Sequence, residues 1–214
     1  MMNCPLCGGD SKEFSKDNKR PYFQCIECSL VFVPEEYHLD STLEKAEYDL
    51  HDNDPFDSGY RKFLSRLFLP LKDRIEVGAI GLDFGCGPGP ALQEMFQEEG
   101  FEVSVYDKFY AKDENVWEKQ YDFITATEVF EHLRNPGAVI VKLLSALKAG
   151  GVLGIMTKLV IDKERFQNWH YKNDPTHIIF FSKGTFDWIG RNYGMNVEFV
   201  GDDVIILGHK KTDS

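Results

Sequence analysis

A chain of 214 residues with 43% hydrophobic and 14% aromatic content is long and apolar enough to bury a core, which excludes a disordered protein. Its net charge of -11 argues against a nucleic-acid partner, because phosphate backbones are bound by basic surfaces. No apolar run is long enough for a membrane span, and no signal peptide is visible. We therefore expect a cytoplasmic protein without membrane insertion, whose cysteines stay reduced.

The first predicted module, residues 1–33, contains four cysteines in two C-x2-C pairs that are separated by 17 residues. Two residues between thiolates allow a tight turn to bring both sulfurs to one metal ion, and two such turns complete a tetrahedral site. Strand-like runs flank the second pair, as in a zinc ribbon, and neither pair precedes a helix as a redox motif would. We predict a structural Zn²⁺ site, with iron left open, whose ligands are Cys4, Cys7, Cys25 and Cys28.

Residues 34–78 form a predicted connector that is acidic in its first half and helical in its second. Residues 34–60 contain one lysine and nine acidic residues. Apolar residues at 60, 63, 64, 67, 68 and 71 have the spacing of a helix. Three tyrosines either anchor this connector to the main domain or form part of a lid over an active site; they are Tyr37, Tyr48 and Tyr60.

The main domain, residues 79–214, alternates between strand and helix patterns. This alternation predicts an α/β fold with a doubly wound, mainly parallel sheet, and ligands bind such sheets at the carboxyl ends of the strands. Strands are expected at 79–84, 101–107, 121–128 and 152–160, with two short antiparallel strands within 196–210. Helices are expected at 90–100, 137–151 and 182–195.

The glycine-rich stretch "DFGCGPGP" follows the first of these strands. It lacks the lysine and hydroxyl residue of a phosphate-binding P-loop, and Pro90 occupies the position of the third glycine in a dinucleotide fingerprint. A loop for S-adenosylmethionine fits better, because that cofactor has no phosphate. Asp83 is placed to face its ammonium group, directly or through water, and Asp107 at the next strand end to accept both ribose hydroxyls. The glycines that allow close backbone approach are Gly85, Gly87 and Gly89.

Together, "LDFGCGPGP", "VYD", "YDFITATEVFEHL" and "LKAGG" resemble the class I S-adenosylmethionine-dependent methyltransferases over residues 79–208, most closely the bacterial small-molecule branch that includes quinone-biosynthesis methylases. The four-cysteine module is similar to the N-terminal part of some sugar C-methyltransferases and ribosomal RNA methyltransferases. The resemblance implies a Rossmann-like fold. It implies that Asp83 and the three glycines line the methionine arm, that Asp107 binds the ribose, and that Thr127 and Glu128 lie beside the sulfonium and the acceptor.

One segment departs from the family pattern. Only 13 residues, 108–120, separate Asp107 from the next strand, where the family core has a helix, a strand and another helix. We therefore expect the sheet to lack one edge strand. The adenine pocket must then be built differently, with Phe109 or Trp117 as candidates.

The candidates for catalysis follow the ends of two later strands. In "EVFEHL", helical spacing puts Glu128, Glu131 and His132 on one face, although the last two could instead cap the turn and pack under the cofactor. His177 matches a histidine of related methylases in an "H-x-x-x-F-S" setting. It is either a base or acceptor contact, or a structural histidine that joins Asp174 to the backbone. The catalytic set is thus His177, Glu128 and His132.

These patterns predict an S-adenosylmethionine-dependent methyltransferase that acts on a small-molecule acceptor. Two alternatives remain open at this point: an RNA or protein methyltransferase that uses the zinc ribbon for recognition, and a non-catalytic relative that has lost its cofactor site. The acceptor atom and the oligomeric state are not specified by the sequence.

Overall fold

The computed structural model describes residues 2–50 and 54–209. Residue 1, where the first predicted module begins, lies outside this part of the chain. So do residues 210–214, which end the predicted main domain and include the last residue of the two antiparallel strands expected within 196–210. Among the described residues, none of the helices is long and apolar enough to cross a membrane.

The N-terminal residues form an antiparallel sheet that is completed by a strand from far along the chain. β1 (Ser11–Lys16), β2 (Pro21–Cys25) and β3 (Val31–Phe32) pair in order, and β3 then pairs with β8 (Ile179–Phe180). Tyr22 packs edge-on against Phe166 with ring centroids 5.0 Å apart. Because one hydrophobic core cluster contains both the cysteine turns and the main-domain strands, this N-terminal sheet is packed into the rest of the protein. The three module boundaries stay a prediction.

The connector contains two helices, and aspartates begin both. Asp40 accepts hydrogen bonds from the backbone at the start of α1 (Ser41–Tyr48), and Asp57 does so at the start of α2 (Ser58–Lys72). The face of α2 that the apolar spacing predicts is buried against the sheet; it comprises Leu64, Leu67, Phe68 and Leu71.

The main domain is built around a mixed six-stranded sheet, as the alternating pattern predicted. Its strands are β4 (Ile80–Phe84), β5 (Glu102–Tyr106), β6 (Tyr121–Thr127), β7 (Leu147–Met156), β9 (Met195–Val200) and β10 (Val204–His209). Their order in the sheet is β5-β4-β6-β7-β10-β9, in which β5, β4, β6 and β7 are parallel and β10 is antiparallel to both neighbours. The strand order reverses between β4 and β6.

Helices cover both faces of this sheet. Successive β6 side chains show this, since they belong to different core clusters, each of which contains helix residues. Phe123 belongs to the cluster beneath α2, whereas Ile124 belongs to the cluster shared with the ribbon. The remaining helices are α3 (Ala91–Glu98), α4 (Pro136–Ser145), α5 (Lys163–Gln167) and α6 (Lys183–Tyr193).

The predicted helix 137–151 is wrong in its last six residues. α4 ends at Ser145, and Leu147 already pairs with Tyr121 in the sheet. Gly150 has a φ of 80°, and a Cβ on Gly151 would lie 3.0 Å from two carbonyl oxygens. The double glycine therefore accommodates an irregularity inside β7 rather than a helix end. The predicted strand 152–160 likewise ends early, at Met156.

The short segment 108–120 has the predicted consequence. It contains a 3-10 turn at Glu114–Glu118 and no sheet strand among the described residues, so β5 is an edge of the six-stranded sheet. The missing edge strand is confirmed.

Candidate active site

A cavity of about 570 Å³ opens at the carboxyl ends of β4, β5 and β6, beside the point where the strand order reverses. Its floor comes from the loops after these strands. Its walls come from α1 and α2 on one side and from residues 170–177 on the other. Of the predicted site residues, seven line it: Gly85, Gly87, Asp107, Thr127, Glu128, His132 and His177.

The glycine loop is folded tightly against its neighbours. Gly85 and Gly87 have φ angles of 75° and 66°, in the left-handed region that favours glycine. A Cβ on Gly85 would lie only 2.3 Å from a methyl carbon of Val129. Gly89 lies outside the cavity wall, two residues before α3 begins. The backbone of the loop is thus open to the cavity at Gly85 and Gly87.

Asp83 lies beneath the loop and is 3% exposed. Its Oδ1 accepts a hydrogen bond of 2.8 Å from the Thr125 hydroxyl. Burial raises its pKa from 3.8 to about 6, and among the described residues no basic side chain pairs with it. A cationic ligand group near this carboxylate would offset the cost of burying it.

Asp107 connects the glycine loop to the turn that follows β5. Its carboxylate accepts hydrogen bonds from the backbone of Gly87 at 3.2 Å, Phe109 at 2.7 Å and Tyr110 at 3.1 Å. Phe109 lines the cavity. Trp117 does not, because it packs behind the wall against Tyr106, with ring centroids 5.0 Å apart. Of the two aromatic candidates for the adenine side, only Phe109 is in reach.

Glu128 and Glu131 follow β6 in a strained turn. Glu128 has a φ of 52°, in the left-handed region, and its N–H donates to the Met156 carbonyl at 2.8 Å. Burial and the nearby Glu131 raise the Glu128 pKa to about 8. Glu131 is completely buried and accepts hydrogen bonds from the hydroxyls of Thr157, at 3.0 Å, and Tyr171. Burial raises its pKa to about 7.

His132 and His177 meet at this end of the cavity, with ring centroids 4.7 Å apart. The Nδ1 atom of His132 lies 3.1 Å from the Thr176 carbonyl, and that of His177 lies 2.7 Å from the Tyr171 carbonyl. Because a carbonyl oxygen only accepts, each Nδ1 carries the hydrogen and each Nε2 keeps a free lone pair. Burial lowers the pKa of both histidines to about 4. Oδ2 of Asp174 lies 3.7 Å from His177 Nε2, which is beyond hydrogen-bond distance.

The connector contributes directly to the wall. Tyr48 from α1 packs on His132 and on Phe109, with ring centroids 5.2 and 6.0 Å apart. Tyr60 from α2 also lines the cavity, whereas Tyr37 is 42% exposed and does not. The geometry of α1 and α2 is that of a cover over the cavity.

One contributor was missed at the sequence level. Arg20 of the ribbon is buried and donates from Nη2 to the carbonyls of Lys172, Asp174 and His177, at 2.8 to 3.0 Å. It therefore holds the loop that carries His177. The same loop carries Tyr171, whose hydroxyl donates to Glu131. An arginine separated by more than 150 residues from its acceptors has no local sequence signal.

The four ribbon cysteines bring their sulfurs together as the spacing predicts. Sγ of Cys4 is 3.5 Å from that of Cys28, and Sγ of Cys7 is 3.4 Å from that of Cys25. A tetrahedral zinc with Zn–S bonds of about 2.3 Å separates its sulfurs by about 3.8 Å. All four sulfurs lie within 4.8 Å of one another, so the donor set fits a thiolate-bound metal ion.

A family model described as a methyltransferase domain matches residues 56–199. The chain belongs to this family of methyltransferase domains. The predicted class I S-adenosylmethionine-dependent methyltransferase domain is thereby confirmed. The match begins just before α2 and ends within β9, so it includes α2 and the four parallel strands of the sheet but not β10. No curated protein matches the chain in sequence.

Solved structures of other methyltransferases share the fold of this methyltransferase domain. One is 1,6-didemethyltoxoflavin-N1-methyltransferase from Burkholderia thailandensis, with 1,6-didemethyltoxoflavin and S-adenosylhomocysteine bound; it is 15% identical, with a TM-score of 0.54 over 88% of this chain and 98% of that one. Another is magnesium protoporphyrin IX methyltransferase from Synechocystis PCC 6803, 12% identical, with a TM-score of 0.50 over 82% and 98%. The plantazolicin methyltransferase BpumL, 14% identical, scores 0.50 over 80% and 91%. At these identities the likeness concerns the fold alone.

Proposed function

We propose that this protein transfers the methyl group of S-adenosylmethionine to a small-molecule acceptor. The observation that carries the proposal is that three features line one cavity. It contains a glycine loop with open backbone, an acid at the end of β5, and a Glu/His cluster at the end of β6. The first two features suit the cofactor, and the third suits an acceptor.

The cofactor residues follow from this arrangement. Asp83 would face the ammonium through water or directly, and the backbone of the three loop glycines would border the methionine arm. Oδ1 of Asp107 already accepts two backbone hydrogen bonds, whereas Oδ2 accepts one and keeps a lone pair for a ribose hydroxyl. Phe109 would contact the adenine, and Thr127 would lie beside the sulfonium. The S-adenosylmethionine-binding unit is residues 79–214, with the cover contributed by the connector.

The acceptor would bind between Glu128, His132 and His177. Its nucleophilic atom attacks the methyl carbon in line with the C–S bond, the new bond forms as the C–S bond breaks, and the sulfur leaves as a neutral thioether. Alignment of the two reactants in the closed cavity supplies much of the acceleration. The three side chains position the acceptor and receive its proton where the acceptor carries one.

A small acceptor is favoured over RNA or a protein by the walls of the cavity. Tyr48 and Tyr60 cover it from the connector, and the connector's acidic residues would repel a phosphate backbone. The fold relative from Burkholderia thailandensis has a small molecule bound together with S-adenosylhomocysteine. This supports the same division of the cavity into a cofactor end and an acceptor end.

We further propose that Cys4, Cys7, Cys25 and Cys28 bind one structural Zn²⁺. Four thiolates leave no open coordination position, so this ion would stabilise the ribbon and take no part in methyl transfer. Through β8 and Arg20, the ribbon then supports the loop at the acceptor end of the cavity.

Isothermal titration calorimetry with S-adenosylhomocysteine tests the cofactor assignment. We expect one equivalent bound per chain, and a loss of at least about tenfold in affinity for Asp107→Asn, because one charge-assisted hydrogen bond is worth about 1.5–3 kcal/mol. The matched control Asp113→Asn changes an exposed acid after the same strand and should bind normally. No binding by the wild-type protein would contradict the proposal. Binding without turnover of methyl-labelled cofactor on any acceptor would instead indicate a non-catalytic relative.

A further inference from the structure

We propose that Glu131, His132 and His177 bind one divalent metal ion at the acceptor end of the cavity. The three residues each offer one ligand atom, and these atoms lie within 4.8 Å of one another. Bonds of about 2.0–2.2 Å to imidazole and carboxylate require ligand atoms about 3–4 Å apart. Side-chain movements of less than an ångström would therefore close the site.

The two histidines are held as metal ligands are held. Each Nδ1–H donates to a backbone carbonyl, that of Thr176 or that of Tyr171, which fixes the ring and leaves Nε2 free to coordinate. Metal-binding histidines almost always make such a hydrogen bond with their other nitrogen.

Glu131 provides the negative charge. It is completely buried, and its oxygens accept from the hydroxyls of Thr157 and Tyr171, while no basic side chain among the described residues forms an ion pair with it. Two neutral donors do not compensate a buried carboxylate, whereas a cation does. Each carboxylate oxygen keeps a lone pair for coordination.

The surroundings also favour a cation. Glu128 and Asp174 line the same end of the cavity. Of the two lysines on the cavity wall, Lys108 is paired with Glu44 at 2.6 Å, and Lys158 has its Nζ 5.1 Å from the centre of the Tyr171 ring. Arg20 lies behind His177 and is occupied by backbone carbonyls. The acidic groups on this wall therefore outnumber the basic ones.

The ligand set indicates the kind of ion and its use. Two imidazoles and one carboxylate favour a first-row transition metal over Mg²⁺ or Ca²⁺, and three protein ligands leave open positions. These positions face the cavity because His132 and His177 line it. This part rests on the proposed function: an acceptor hydroxyl on the ion would have a lowered pKa and lose its proton to the Glu128 carboxylate on the cavity wall. Its oxygen would then bond to the methyl carbon as the C–S bond breaks. The acceptor class is thus a small molecule with a metal-binding hydroxyl.

Cobalt titration of the untagged, zinc-loaded full chain tests this inference. Calorimetry should show one Co²⁺ per chain, and the absorption spectrum should lack thiolate-to-cobalt bands, because zinc holds the cysteine site more tightly. His177→Gln and Glu131→Gln should each weaken binding more than about 100-fold. Tyr171→Phe, which removes only the hydroxyl that orients Glu131, should weaken it about 10- to 100-fold. His170→Gln, on the cavity wall but outside the cluster, should bind cobalt normally.

Circular dichroism and zinc content of each variant show whether it is folded. If Glu131→Gln does not fold, the test of the carboxylate ligand rests on Tyr171→Phe. Absence of cobalt binding in the wild type, or equal affinity in all variants, overturns the inference. S-adenosylhomocysteine titrated into the same zinc-loaded samples, before cobalt is added, separates the two proposals. Its binding without cobalt binding refutes the metal site alone, whereas cobalt binding without it supports the metal site and contradicts the proposed function.

Discussion

Asp83→Asn should make the ligand-free protein more stable while weakening its hold on the cofactor. Asp83 is buried, bonded to Thr125 and without a basic partner among the described residues. Asparagine has almost the same shape, and its carbonyl oxygen still accepts the hydrogen bond from Thr125. The substitution thus removes a buried charge and leaves the packing in place.

The expected gain follows from the pKa of Asp83, which is raised from 3.8 to about 6 by burial. A raised carboxyl pKa means that the folded state binds the proton more tightly, so stability falls as the pH rises through this window. At about 1.4 kcal/mol per pH unit, the penalty is about 3 kcal/mol at pH 7.5 and about 1.5 kcal/mol at pH 5. Asp83→Asn should recover these amounts.

Urea unfolding of both proteins at about pH 7.5 and pH 5, without ligand, measures this difference. Calorimetry with S-adenosylhomocysteine should meanwhile show about 10- to 100-fold weaker binding, because a charge-assisted hydrogen bond worth about 1.5–3 kcal/mol is lost. Asp122→Asn is the matched control: this aspartate on β6 pairs with Lys148 at 2.8 Å, and its pKa is lowered. That control should lose some stability and bind the ligand normally.

Two results would refute this reasoning. If Asp83→Asn were no more stable than the wild type at pH 7.5, the carboxylate would not be destabilising in the ligand-free protein. If its affinity for S-adenosylhomocysteine were unchanged, Asp83 would not face the ammonium group.

Three further substitutions have expected outcomes. Gly85→Ala adds a Cβ 2.3 Å from a methyl carbon of Val129 and should lower the free energy of unfolding more than Gly100→Ala does. Gly100 has a similar φ but no atom near the added Cβ, so its substitution should cost only about 1–2 kcal/mol. Equal losses in urea unfolding would exclude the clash. Cys4→Ser should lose the bound zinc and melt at lower temperature, whereas Cys86→Ser should keep the metal, and a zinc-free protein with an unchanged melting temperature would argue against a structural ion. Arg20→Lys should cost about 2–4 kcal/mol and speed proteolysis of the loop that Arg20 holds, without changing cofactor affinity; an unaltered proteolysis rate would show that lysine is an adequate substitute.

Local patterns were enough to predict that the glycine loop and Asp107 lie close together at one edge of the sheet. The glycine loop and Asp107 follow directly from β4 and β5, and parallel strands bring their carboxyl ends to the same edge. The length of 108–120 sufficed to predict the missing edge strand. The double glycine at 150–151 was wrongly predicted to end a helix. The pairing of Leu147 with Tyr121, a tertiary contact, starts β7 at residue 147, before the two glycines.

The Glu/His end of the cavity was harder to foresee, because its contacts join residues far apart in the chain. His132 and His177 were each singled out by a local motif, but their contact with one another was not expected. Tyr171 reaches Glu131 across 40 residues, and Arg20 reaches His177 across 157. Such pairs depend on how the ribbon and β8 close one sheet, which the ribbon sequence alone does not reveal.

The most direct measurement of the proposed methyltransferase site is a crystal structure of the protein with S-adenosylhomocysteine. We expect the ribose hydroxyls within hydrogen-bond distance of Asp107, the amino-acid arm over Gly85 and Gly87, and the sulfur directed towards Glu128 and His177. Density for the ligand outside this cavity, or a cavity that stays empty at saturating ligand, would contradict it.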